Sequence, residues 1–177
     1  MLFDSFLGNE RLKEIFSSKL RDGTLSHAYL FVGADGMGKS TFVSRVVKAL
    51  CCTSSGERPC GECAACKKYE LSAHPDVHRL CLKPDESSIR VDDVRKFIST
   101  IELTPNECDY KIYVIEDAHT MGREAQNAIL KTLEEPMGNA VFFLMAANES
   151  TILPTVRSRC TVFYMEPVAE ELLTKHL

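Results

Sequence analysis

Residues 28–40 read Ala28-Tyr29-Leu30-Phe31-Val32-Gly33-Ala34-Asp35-Gly36-Met37-Gly38-Lys39-Ser40, and this stretch decides the fold. Its apolar opening does not alternate with polar residues. That predicts a strand buried on both faces, as in a parallel sheet. The run from Gly33 to Ser40 matches G-x-x-x-x-G-K-[ST] in full, and a helical pattern follows from about Ser40 through Leu50. Glycines let the backbone turn so that successive N–H groups face phosphate oxygens. The positive end of the next helix faces the same anion. Gly33, Gly36, Gly38, Lys39, Ser40 and Thr41 therefore form a candidate cradle for ATP or ADP. Lys39 would reach the β- and γ-phosphates and the Ser40 hydroxyl would ligate Mg²⁺. The competing reading is a glycine-rich turn that happens to carry lysine; strand before and helix after argue against it.

Outward from this core, Ile112–Ile115, Ala140–Ala146 and Thr161–Met165 are further continuous apolar runs, expected as buried strands. Val77–Leu82 reads as a weaker, edge-like strand. Helical spacing links Leu12, Ile15, Phe16 and Leu20, with Gly23 as a stop. It also links Val94, Phe97, Ile98 and Ile101 after Asp92-Asp93, and Ala125, Ile129 and Leu133 before Pro136. Strands alternating with helices predict an α/β domain with a parallel sheet.

The chain of 177 residues is 45% hydrophobic and 26% charged, an ordinary globular composition that excludes wholesale disorder. No stretch approaches the roughly 20 apolar residues of a membrane span. The first residues lack the basic and apolar regions of a secretory signal, so a cytoplasmic protein is expected. A net charge of −4 gives no bulk attraction to phosphate backbones. DNA contact, if any, is expected to be local or through partners.

Eight cysteines in such a chain need a reason other than disulfides. Cys51, Cys60, Cys63 and Cys66 form C-x8-C-x2-C-x2-C, with Cys52 as an alternative first ligand. Short gaps let neighbouring thiolates turn onto one ion, and four thiolates with no open position describe structural Zn²⁺. Reduced loop thiols or a redox C-x-x-C pair are the competing readings. Cys81, Cys108 and Cys160 are expected as buried apolar side chains.

The P-loop followed directly by a four-cysteine insertion resembles bacterial DNA polymerase III clamp-loader subunits of the AAA+ superfamily. Ser26-His27-Ala28-Tyr29-Leu30-Phe31, Leu130-Lys131-Thr132-Leu133-Glu134-Glu135-Pro136 and Ser158-Arg159-Cys160 look like further family motifs. His74-Pro75-Asp76 and Ser88–Arg95 look more like the delta-prime subunit than gamma/tau.

The resemblance implies a five-stranded AAA+ sheet over residues 1–166, with the zinc module inserted at 51–66. Residues 167–177 would open a helical lid. It also implies partners: gamma/tau and delta subunits, and through the complex the sliding clamp and primed DNA. Glu116-Asp117 stands where active members carry Asp-Glu. A base shortened by one methylene is misplaced by about 1 Å, which can cost on the order of 100-fold in rate. Weak or absent ATPase activity is therefore expected of this part of the polymerase holoenzyme. Solvated acids capping a helix near Thr120 are the competing reading. Asn148 resembles the sensor residue near the γ-phosphate, or else a turn-capping Asn. Arg159 resembles the arginine finger that reaches a neighbouring subunit's nucleotide. The alternatives are a gamma/tau-type motor and, from another class, a P-loop kinase.

Overall fold

The computed structural model describes residues 2–4, 6–101 and 104–168. Five strands form one parallel sheet: β1 (Ala28–Val32), β2 (Val77–Leu80), β3 (Lys111–Ile115), β4 (Ala140–Ala146) and β5 (Thr161–Tyr164). Their spatial order is β2-β3-β4-β1-β5. α1 (Glu10–Asp22) precedes β1, and the connections carry α2 (Lys39–Cys51), α3 (Ala64–Glu70), α4 (Val91–Ile98), α5 (Arg123–Glu134) and α6 (Pro154–Arg157).

Every residue of β1, β3 and β4 is buried. Alternate side chains feed two cores on opposite faces of the sheet. Leu30, Tyr113, Ile115, Phe142 and Leu144 meet Val94, Phe97, Ile129 and Leu133 of α4 and α5. Tyr29, Phe31, Val114 and Phe143 meet Phe16 of α1 and Phe42, Val43, Val46 and Val47 of α2. The continuous apolar runs arise because both faces need apolar residues.

β5 departs from the expectation of a fully buried strand. It pairs only with β1, and its end residues Thr161 and Tyr164 are exposed. β2 is the opposite edge, as its weaker pattern predicts. The cysteines outside the four-cysteine module differ as well: Cys81 is exposed and Cys108 and Cys160 are only half-buried. Cys81 follows the end of an edge strand, where no layer covers it. The expected lid helix falls mainly on residues 169–177, outside the described residues.

The front of the chain braces the site. The Phe6 ring centroid lies 5.4 Å from that of Phe42, and Phe3 stacks on Phe42 at 4.7 Å. Asn9 exchanges two hydrogen bonds with the backbone of Glu166, at 2.8 and 3.1 Å, tying α1 to the chain leaving β5.

Candidate nucleotide cradle and cysteine cluster

The loop after β1 turns into α2 through Gly38, whose φ is +80°. A side chain there would be strained, and its Cβ would come within 3.2 Å of the Phe6 ring. Gly33 serves a different need, because a Cβ would meet Met165 at 3.0 Å and Met37 at 3.1 Å. The resulting cavity of about 280 Å³ is lined by Asp35, Gly36, Gly38, Lys39, Ser40, Thr41, Glu116, Asp117, His119 and Met145.

Lys39 Nζ donates to the Gly33 carbonyl and, at 2.9 Å, to that of Ala34. The ammonium is thus held at the mouth of the loop. Ser40 Oγ lies 3.5 Å from Glu116 Oε2 across the cavity. β3 delivers Glu116 there, its N–H bonded to the Leu80 carbonyl at 2.8 Å. Asp117 follows with φ 53° and opens a short 3-10 turn, Ala118–Thr120, before α5 begins at Arg123. Both acids therefore face the cavity, and the helix start lies beyond them.

Three contributors have no counterpart among the residues singled out from sequence. His119 lines the cavity and accepts the Ala147 N–H on Nδ1 at 3.3 Å, linking the β3 exit to the end of β4. Met145 forms its apolar wall. Arg79, on edge strand β2, pairs with Glu116 at 2.9 Å and also donates to the Tyr69 hydroxyl. Tyr69 in turn donates to Ser44 of α2 at 2.9 Å. Arg79 had no motif around it; only its place on a strand next to β3 gives it a role.

Asn148 and Arg159 do not line this cavity. Asn148 Oδ1 accepts the Ser150 N–H at 2.9 Å and caps the turn Glu149–Thr151. Arg159 sits before β5, and the register pairs Thr161 with Tyr29, near the start of β1. The P-loop leaves the other end of β1, so Arg159 lies at the opposite end of the strands. Its Nη2 pairs with Glu134 at 2.9 Å and its Nη1 donates to the Thr155 carbonyl at 2.8 Å, while Nε is buried without a partner.

The sulfurs of Cys52, Cys60, Cys63 and Cys66 lie within 4.8 Å of one another. The first member is Cys52 rather than Cys51, a correction with a simple cause. Cys51 is the last residue of α2 and points into the core at 1% exposure. Cys52 leaves the helix in extended conformation (φ −66°, ψ 125°) and so turns toward the module. Backbone N–H groups of Cys60, Cys63 and Cys66 reach the sulfurs of Cys52, Cys60 and Cys63, each at 3.4 Å. Donation from Cys66 and then Thr53 brings the Cys63 thiol down to about 5. Burial pushes Cys66 up to about 12. Four convergent thiols with N–H groups aimed at their sulfurs fit a tetrahedral Zn²⁺.

The parallel sheet and the cradle at its β1 exit define a P-loop domain of AAA+ architecture. Solved structures with the same fold include a gamma subunit-related protein of Thermotoga maritima, 23% identical, TM-score 0.57, over 88% of this chain and 47% of that one. A RuvB variant of the same organism, 14% identical, gives TM-score 0.61 over 98% of this chain and 50% of that one. Residues 8–169 match the family described as DNA polymerase III, delta subunit, and the chain belongs to that family.

Curated relatives include DNA polymerase III subunit tau/gamma of Haemophilus influenzae, 34% identical over 99% of this chain and 25% of that protein. The delta' subunit of Bacillus subtilis is 31% identical over 94% of this chain and 50% of its own length. That of Pseudomonas aeruginosa is 38% identical over 76% and 42%. The chain thus spans between a quarter and a half of these relatives. No helix among the described residues is long and apolar enough to cross a membrane.

Proposed function

We propose that this chain is the nucleotide-binding part of a delta-prime-type subunit of the DNA polymerase III clamp loader. In that assembly it works beside gamma/tau and delta subunits to place the sliding clamp on primed DNA. The observation that carries the reading is the separation of two features. The cradle holds Lys39, Ser40 and Glu116, whereas Arg159 lies at the opposite end of the strands, out of reach of this cradle, an arrangement that suits an arginine serving another subunit's nucleotide.

Lys39 and the N–H groups of Gly36 to Ser40 would hold the phosphates, and Ser40 with Glu116 would hold Mg²⁺. When bound, the metal neutralises charge on the phosphate oxygens. Glu116 is the acid fixed by Arg79, and Asp117 is the shorter acid, too short to aim a water as glutamate does. Slow or absent turnover at this cradle follows. Cys52, Cys60, Cys63 and Cys66 would hold a structural Zn²⁺ that shapes the module carrying α3.

The second reading is an ATP-hydrolysing gamma/tau-type motor, favoured by the complete P-loop and by the tau/gamma relatives. Family membership leaves the kinase reading without support. One experiment separates the two subunit types: assemble the full-length protein with its partner subunits and compare ATP turnover of Lys39→Ala and Arg159→Ala complexes. The delta-prime reading expects Arg159→Ala to remove most turnover and Lys39→Ala to remove little. The reverse ranking would overturn it.

A further inference from the structure

We propose that Cys51, His74 and Cys108 form a second metal site, distinct from the four-cysteine cluster, for a thiophilic ion such as Zn²⁺. Two sulfurs and one ring nitrogen of these residues lie within 4.8 Å of one another. They come from the end of α2, the loop before β2 and the loop before β3, so only the folded sheet brings them together. Cys51 is 1% exposed, His74 is 4% exposed and Cys108 is half-buried.

Plain packing accounts poorly for this trio. An imidazole takes space in a core and brings two polar nitrogens with it. His74 Nε2 is buried and has no hydrogen-bond partner, an arrangement that needs a reason. Its other nitrogen, Nδ1, accepts the Asp76 N–H at a long 3.2 Å. Coordination gives up at most that contact: directly if Nδ1 binds, or because the ring proton moves to Nδ1 if Nε2 binds.

The Cys108 thiol donates to the Tyr110 carbonyl oxygen at 3.0 Å and lies 3.7 Å from Asp76 Oδ2. A cation held by Cys108 would meet the same oxygens that this thiol proton faces. A divalent ion on two thiolates is neutral overall, the form that burial tolerates. On binding, each cysteine releases its Sγ proton, so the ion enters as two protons leave. Two thiolates and an imidazole suit zinc and other soft ions rather than Mg²⁺ or Ca²⁺. Water would take the fourth position.

The test counts metal on the full-length protein purified without chelators, and it does not depend on nucleotide or clamp chemistry. Two zinc ions per chain are expected, falling to one in Cys51→Val/Cys108→Val. Cys60→Ser/Cys63→Ser should lose the other ion, so the two sites are counted separately. Co²⁺ titration of the unaltered apoprotein supplies a readout that needs no variant. It should show two steps of thiolate-to-cobalt absorption, the stronger from the four-cysteine set. One zinc in both the unaltered protein and the Cys51/Cys108 variant would overturn the proposal. So would a single Co²⁺ step, or a Cys51–Cys108 disulfide in the protein as isolated.

Discussion

Arg79 on the sheet edge holds Glu116 at the cradle, with 2.9 Å between Nη1 and Oε1. The same guanidinium donates to Tyr69, which sits on α3 one turn after the cluster residue Cys66. The acid facing Ser40 is therefore oriented from the cysteine module through two side chains.

Arg79→Met should leave the fold nearly unchanged, because the ion pair is about a third exposed and such pairs contribute about 0–1 kcal/mol. Mg²⁺-dependent nucleotide affinity should fall roughly three- to tenfold, given that one charge-assisted contact to the metal-holding acid loses its orientation. Calorimetric titration of ADP with Mg²⁺ and with EDTA checks this. Equal losses in both conditions would contradict a role through Glu116.

Lys39→Ala should weaken nucleotide binding roughly 10- to 100-fold, the range for losing hydrogen bonds to a charged ligand. Fluorescent ADP analogues measure it. Retained affinity would mean that the cavity binds nucleotide by some other contact, or is not its site.

Within the assembled loader, Arg159→Ala should reduce ATP turnover on the order of 1,000-fold, the lower end for an arginine finger. The same substitution should leave nucleotide affinity of the isolated subunit unchanged, since Arg159 lies beyond reach of its own cradle. A loss of affinity in the isolated subunit would count against a role in trans.

Asp76→Asn should destabilise the protein by about 3–5 kcal/mol, as expected when one member of a buried ion pair is removed. Asp76 is fully buried. It accepts N–H groups of Asn106, Glu107 and Cys108 and pairs with buried Lys111 at 3.3 Å. Burial alone would raise its carboxyl, yet those donors outweigh it and hold the group far below the carboxylate range. Urea unfolding gives the number. Lys111→Met should cost a similar amount, and the double variant less than the two together.

Removing zinc with a chelator, or making Cys63→Ala, should lower the melting temperature by roughly 3 °C, a loss on the order of 1 kcal/mol for a domain of this size. Scanning calorimetry with and without zinc readdition tests it. No shift would leave the cluster without a structural role.

Much of the fold was legible because β1, β3 and β4 are buried on both faces, so their sequences carry the signal without help from context. The loop Gly33–Ser40 was legible for the same kind of reason: backbone geometry at Gly38 demands that residue type locally. β5 was read as too deeply buried because strand order, which makes it an edge, is not written in its own residues. Spacing alone does not separate Cys51 from Cys52 as the first ligand. The decision lies in where α2 ends, and a difference of one residue turns a side chain from the module into the core.

By itself, the sequence determined the P-loop, the strand and helix alternation and the presence of a cysteine module, since each depends on neighbours close along the chain. Tertiary structure alone decided which side chains share a site. It set Arg79 against Glu116, His119 beside the cradle and Arg159 at the opposite end of the strands, and gathered Cys51, His74 and Cys108 from a helix end and two loops. These relations depend on strand order and register, which arise only when distant segments pack into one sheet.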